Sequence, residues 1–275
     1  MPLIIDYDRP VLIADGVFWV GFCDRLSGLH CNPYLIVDQG EAVLIDGGSR
    51  PDFPVVMMKI LQTGILPDAI KALIFQHYDP DLCGSVTNFE DIIANPNLKI
   101  ISAQENEMFI RHYSCSTPLT NLEQLNYRYT FTSGRELYFV KTPYAHAPGS
   151  FVTFDKNSGV LFSSDLFGSY DQEWDLFVDI PPECLDCSSF EKCPRQLRHC
   201  FIPGILNFHK ANMPCVAALR LALEKISEID FKMIAPQHGG VIKTKDGINT
   251  LISHLKKMND IGIDGILQKP QDPGR

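Results

Sequence analysis

The sequence lacks any apolar run close to the roughly 20 residues that a membrane helix needs. Its first residues, Met1-Pro2-Leu3-Ile4-Ile5-Asp6, carry no positive leading region and no continuous apolar stretch of the kind that directs secretion. The expectation is a cytoplasmic protein with no membrane partner. Basic blocks are missing as well. The net charge is -9 and the pI about 5.3, which argues against nucleic acid as a partner, because phosphate binding needs clustered cations. No internal repeat recurs at a fixed period, and no linker splits the chain. With 275 residues, 45% of them hydrophobic, one large core can be buried. The reading is a single domain over residues 1–275.

Cysteine is not scarce. There are nine, an odd number, unevenly spaced. Cys184, Cys187, Cys193 and Cys200 crowd into an excursion at about residues 170–203 that is otherwise rich in Pro, Asp and Glu. Without a secretion signal, such crowding suggests a metal site more than a disulfide framework. The four could hold zinc or an iron–sulfur cluster, form a disulfide or two, or remain thiols.

Periodicity divides the rest. Residues 11–15, 17–21, 34–37 and 42–46 read as short strands in close succession, an antiparallel meander. The middle alternates strand and helix: helical spacing over 53–61, a strand at 71–75, a helix over 88–93, a strand at 98–102 and a helix over 104–112. Strands return at 136–141, 151–154 and 159–163. After the excursion, Val216, Leu219, Leu223 and Ile226 recur at helical spacing. Residues 233–235 read as the last strand and 247–258 as a closing helix. The order predicts sheets with helices packed outside them.

The chemistry lies just beyond the strand ends. After 71–75 come His77, Asp79 and Asp81; after 136–141, His146; after 159–163, Asp165; after 233–235, His238. Loops converging at one sheet end would gather three imidazoles and three carboxylates, a hard-to-borderline ligand set. A carboxylate can bridge two cations, which would compensate buried negative charge. His77, Asp79 and Asp81 alternate by two, and in an extended segment alternate residues point to one side. Tyr78 and Tyr144 flank these ligands. They could donate a hydrogen bond to a bound oxygen species, or serve as pocket walls. Cys83, inside the ligand loop, reads as a packing residue. His30, His112, His199, His209 and His254 lack such context and read as structural or exposed.

The segment His77-Tyr78-Asp79-Pro80-Asp81-Leu82-Cys83-Gly84-Ser85 resembles the signature loop of the metallo-β-lactamase superfamily, and more closely that of the diiron domain of flavodiiron proteins. Three further segments run in that family's order. These are Val43-Leu44-Ile45-Asp46-Gly47-Gly48, Leu161-Phe162-Ser163-Ser164-Asp165-Leu166-Phe167-Gly168 and Ile234-Ala235-Pro236-Gln237-His238-Gly239. One such motif is weak; four in order are strong. The resemblance implies an α/β fold, a metallo-β-lactamase-type αββα sandwich. It also implies two metal ions: one held by His77, Asp79 and His146, the other by Asp81 and His238, with Asp165 bridging. The chain departs from the pattern twice. Asp79 stands where the family usually has Glu, and Leu82 where a further His is usual.

Zinc hydrolases of this fold favour three neutral imidazoles at the first metal. Asp79 makes that site richer in oxygen, so two irons are favoured, with zinc the alternative. By resemblance, the expected function is binding or reduction of dioxygen or nitric oxide. Electrons would come from a separate donor protein, because no flavodoxin-like segment follows. The alternatives are a sensor of the same gases without turnover, and a zinc-dependent hydrolase of esters or thioesters. Family members are often head-to-tail dimers, which makes a homodimer a further expectation.

Overall fold

Leu35 and Leu44 face one apolar cluster, while their neighbours Ile36, Val43 and Ile45 face another. This period-two alternation, with both faces apolar, is that of a sheet covered on both sides. Val160 and Phe162 likewise face the second of these clusters, and Leu161 between them faces a third. Three apolar layers therefore need two sheets and two sets of helices. The computed structural model describes residues 5–24, 27–113, 115–171, 173–188, 193 and 199–268.

Among the described residues, the first sheet runs in chain order: β1 (Val11–Ala14), β2 (Val17–Trp19), β3 (Tyr34–Asp38), β4 (Glu41–Ile45), β5 (Ile70–Ile74), β6 (Lys99–Ser102) and β7 (Leu119–Asn121). The pairs from β1 to β4 are antiparallel, as the meander predicts; those from β4 to β7 are parallel. The helices α1 (Phe53–Gln62), α2 (Pro80–Cys83), α3 (Val86–Ile93) and α4 (Glu107–Arg111) lie along these crossovers. Val56, Ile60, Phe89 and Ile110 on these helices cover Leu35, Leu44 and Leu73 on the outer face.

The second sheet is built from β8 (Arg128–Thr130), β9 (Glu136–Lys141), β10 (Phe151–Asp155), β11 (Val160–Phe162), β12 (Phe177–Val178), β13 (Met233–Ala235) and β14 (Val241–Ile242), in the order β12-β14-β13-β11-β10-β9-β8. Its outer face packs on α5 (Ile202–Asn212), α6 (Val216–Ile226) and α7 (Lys245–Lys257), through Leu219, Leu223, Leu251 and Leu255 against Val152, Leu161 and Ile234. The short α8 (Gly262–Leu267) follows. The layers are the expected αββα sandwich. Each fully buried Leu, Ile or Phe contributes about 1.5–3 kcal/mol.

One polar contact also ties the sheets. Arg135, before β9, pairs with the fully buried carboxylate of Asp155 at the end of β10. The same guanidinium donates to the Val37 carbonyl of β3 (3.3 Å) and the Asp15 carbonyl (3.1 Å).

Several sequence expectations need correction. Residues 233–235 are not the last strand, since β14 follows. The excursion at 170–203 contains β12 and a short 3-10 turn at Pro182–Asp186. These strands span two residues, too few for periodicity to register. Helix α5 was not expected, because its helical pattern is weak and Pro203 and Gly204 read as loop. The ligand loop is extended only as far as Asp79. Pro80 then opens the helical turn α2, with Asp79 as its N-cap, so Asp81 leaves the face shared by His77 and Asp79. Among the described residues, no helix is long and apolar enough to cross a membrane.

Candidate metal centre

The site begins with Gln76, which follows β5. Its amide Nε2 donates to the carbonyls of Phe151 (3.0 Å) and Phe162 (2.8 Å) across the sandwich. Its backbone N–H donates to Asp46 Oδ1 at 3.1 Å. Anchored to both sheets, Gln76 presents His77 to the cleft between them. Burial pushes the Asp46 carboxyl up to about 7, despite that bond.

Each imidazole of the predicted set is held by one nitrogen and offers the other. His77 Nδ1 pairs with Ser164 Oγ at 2.9 Å. His146 Nδ1 donates to the carbonyl of Asn212, the last residue of α5, at 3.1 Å. His238 Nδ1 donates to the His30 carbonyl at 3.0 Å. All three Nε2 atoms then turn toward the carboxylates. This is the arrangement by which metal-binding histidines are oriented through their second nitrogen.

The carboxylates sort these nitrogens into two groups. Asp79 Oδ2 lies 2.8 Å from His146 Nε2 and 3.6 Å from His77 Nε2. Asp81 Oδ2 lies 3.0 Å from His238 Nε2. Asp165 stands between. Its Oδ2 is 3.9 Å from both His77 and His146 Nε2, and its Oδ1 is 3.7 Å from His238 Nε2. All six predicted residues therefore meet in one place. Tight backbone makes this convergence: His146 has φ 87°, and Ser164 and Phe167, on either side of Asp165, have φ 53° and 68°. Residues other than Gly rarely adopt such angles, and they gather at functional sites.

The electrostatics favour positive charge at the site. Burial opposes the imidazolium of His146, but its hydrogen bond to Asp79 and the charge of Asp165 outweigh this and raise it to about 9. His238 is also driven up against burial, by Asp81. Asp79, though burial works against it, is held below the usual carboxylate range by His146 and His77. The carboxylates thus favour positive charge beside both imidazoles. The fit goes further: His77 Nε2 and Asp165 Oδ1 are buried and have no hydrogen-bond partner among the described residues. An orphaned buried acceptor costs about 1–3 kcal/mol, and a cation would satisfy both.

A cavity of about 340 Å³ opens onto the centre, lined by Asp79, Asp81, His146, Asp165, Tyr170 and Phe208. The tyrosine that lines it is Tyr170. Tyr78 stacks on Phe109 (4.2 Å, 22°), and Tyr144 is 54% exposed; neither lines this cavity.

Among the described residues, two groups of side chains bring ligand atoms within 4.8 Å of one another: His77, Asp79 and His146; and Cys31, Asp81 and His238. Sequence reasoning missed Cys31. It sits 207 positions from His238, in a segment with no ligand spacing. The signal for it was indirect, a missing donor at Leu82.

Cys184, Cys187, Cys193 and Cys200 belong to neither group. Cys184 and Cys200 pack at the edge of the outer core of the second sheet and line a cavity of about 270 Å³ together with His199. Burial, then the nearby Cys193 and Cys187, push the Cys200 thiol up. Residues 189–192 and 194–198, between these cysteines, lie outside the described residues. Of the remaining histidines, His209 is fully buried and satisfied on both sides, by the Ile205 carbonyl and the Phe167 N–H. His30 stacks on Trp174 at 4.8 Å.

Comparison with known proteins agrees with the fold. The chain is 28% identical over 250 residues to the anaerobic nitric oxide reductase flavorubredoxin of Enterobacter sp. (strain 638), covering 84% of this chain and 47% of that protein. It thus spans about half the length of that relative. Rubredoxin oxygen:oxidoreductase from Desulfovibrio gigas superposes with a TM-score of 0.74 at 19% identity, over 90% of this chain and 61% of that one. A structure described as a peroxy diiron species of the chemotaxis sensor ODP superposes with a TM-score of 0.71 at 25% identity, over 91% of this chain and 93% of that one. Residues 29–239 match the family described as ODP family beta lactamase, and the chain belongs to that family.

Proposed function

We propose that this chain is a two-iron protein that binds dioxygen or nitric oxide, and that any reduction at the site draws electrons from a separate donor. The observation that carries this reading is Asp165, whose two oxygens face two separate ligand groups. In this reading His77, Asp79 and His146 hold one iron, Asp81 and His238 the other, and Asp165 joins them. When bound, the iron pair supplies the electrons and open positions that a diatomic gas needs. The chain's own part is orientation and exclusion. Ser164, Asn212 and His30 fix the imidazoles, and Phe208 and Tyr170 narrow the approach. Asp79 favours iron over zinc, since an added carboxylate lowers the net charge at the first metal and weakens its Lewis acidity.

Within this reading, sensing without turnover is favoured by the likeness to a chemotaxis sensor along 93% of its length. The hydrolase reading fits less well, because Asp79 takes the place of an imidazole. The four cysteines at 184–200 are, in the same reading, an additional site for zinc or an iron–sulfur cluster.

Elemental analysis of protein purified without added metal is the first test. Two irons per chain without sulfide is the expected result, and further iron together with sulfide would place a cluster on the cysteines. Two zincs, with ester hydrolysis lost on His146→Ala, would replace this reading with the hydrolase. Dioxygen is then added to the ferrous protein. A lasting optical change without consumption of a supplied reductant identifies a sensor; steady turnover identifies a reductase.

A further inference from the structure

The second ligand group is short of a donor at Leu82. That side chain is fully buried in the apolar cluster that contains Val56 and Phe89, and it offers no lone pair to the cleft. The segment ahead of β3 supplies one. Cys31 and His238 form an isolated antiparallel bridge. Asn32 locks the two segments together: its N–H donates to the Gln237 carbonyl at 2.9 Å, and its amide Nδ2 to the carbonyls of Pro236 (3.0 Å) and Gly239 (2.7 Å). Trp19 Nε1 in turn donates to Asn32 Oδ1 at 2.8 Å. Cys31 is 5% exposed, and its sulfur shares the 4.8 Å group with Asp81 and His238.

A buried cysteine is most often a small apolar packing residue. Cys83, close by in sequence to the ligands, is of that kind: fully buried, with its S–H donated to the His77 carbonyl at 3.3 Å, and outside both ligand groups. Cys31 differs in standing with two other ligand side chains.

We propose that Cys31 is a thiolate ligand of the second metal, in place of the imidazole that Leu82 does not provide. This rests on the paired-metal reading above. On binding, the S–H proton leaves to solvent and the sulfur lone pair forms the bond to the cation; no electron changes hands. Charge supports the assignment. Asp79, Asp81 and Asp165 carry three negative charges, and a Cys31 thiolate makes four, which balances two divalent cations in a buried site. One soft donor on one metal alone makes the two positions unequal. The second becomes the better site for zinc, cobalt or ferrous iron.

The test uses Co²⁺ titrated anaerobically into the full chain and into Cys31→Ser. The wild type is expected to show a thiolate-to-cobalt charge-transfer band as the second metal fills. In Cys31→Ser that band is lost, and affinity for the second metal falls by at least about 10-fold, with the first unchanged. Bands from the cysteines at 184–200 are common to both proteins and cancel in the difference. Identical difference spectra and affinities overturn the proposal. Should Cys31→Ser not fold, cadmium-113 NMR on the wild type decides. A resonance typical of one sulfur among nitrogen and oxygen donors supports a Cys31 ligand. Two sites with nitrogen and oxygen donors alone overturn it while leaving the metal pair intact. No metal bound at the pair sinks both readings.

Discussion

Asp165 Oδ1 lies 3.7 Å from His238 Nε2, while the other oxygen of the same carboxylate turns to His77 and His146. One side chain thus touches both halves of the centre. Asp165→Ala is expected to weaken both metals by at least about 10-fold and to leave less than two metals per chain after dialysis, read by elemental analysis. Retention of two metals would show that Asp165 is not the bridge.

Metal should also report on stability. Binding to the native state alone stabilises it by about 4 kcal/mol when free metal is 1,000-fold above its dissociation constant. Thermal unfolding of ferrous-loaded protein is therefore expected several degrees above that of chelated protein. The gap should shrink in His146→Ala and vanish in a His77→Ala, His238→Ala double variant. An equal gap in all of them would mean that metal binds elsewhere.

His209 predicts an acid limb. Burial depresses its imidazole to about 4, and the Ile205 carbonyl only partly offsets this. The folded state therefore holds it neutral, whereas the unfolded chain protonates it near 6.5. The stability it contributes is complete above pH 6.5 and is lost as pH falls toward 4, by up to about 3 kcal/mol. Urea unfolding of metal-free protein at pH 7 and pH 4.5 measures this. His209→Gln should flatten that part of the pH profile. An unchanged slope would assign the acid limb to other groups.

Arg135 and Asp155 form a buried pair within the second sheet, and the same guanidinium reaches the first sheet through the Val37 and Asp15 carbonyls. Arg135→Ala leaves Asp155 without its guanidinium and is expected to cost about 3–5 kcal/mol in denaturant unfolding. Replacing both, with Arg135→Met and Asp155→Leu, should recover most of that loss. A double variant as unstable as the single one would indicate that the bonds to Val37 and Asp15 matter more than the ion pair.

Much of the fold could be read along the chain. The strand at 136–141 and the helix at 216–226 coincide with β9 and α6, because sustained apolar periodicity reports which faces are covered. Strands β12 and β14 escaped, since two residues carry no period. Asp81 reaches the expected cleft, but by another backbone route. Alternation by two holds only for extended backbone, and Pro80 starts a helical turn there.

By itself the sequence determined that sheets are covered by helices and which six side chains meet at the cleft. Both follow from local pattern, apolar periodicity and ionisable residues placed just past strand ends; the two-sheet sandwich came from the resemblance carried by four motifs in order. The division of those six was implied by the resemblance; only the tertiary structure set their distances, with Asp81 beside His238 and Asp79 beside His146 and His77. It alone brought in Cys31. That thiol reaches the centre through backbone pairing between residues 31 and 238, a long-range contact that leaves no trace in the spacing of either segment.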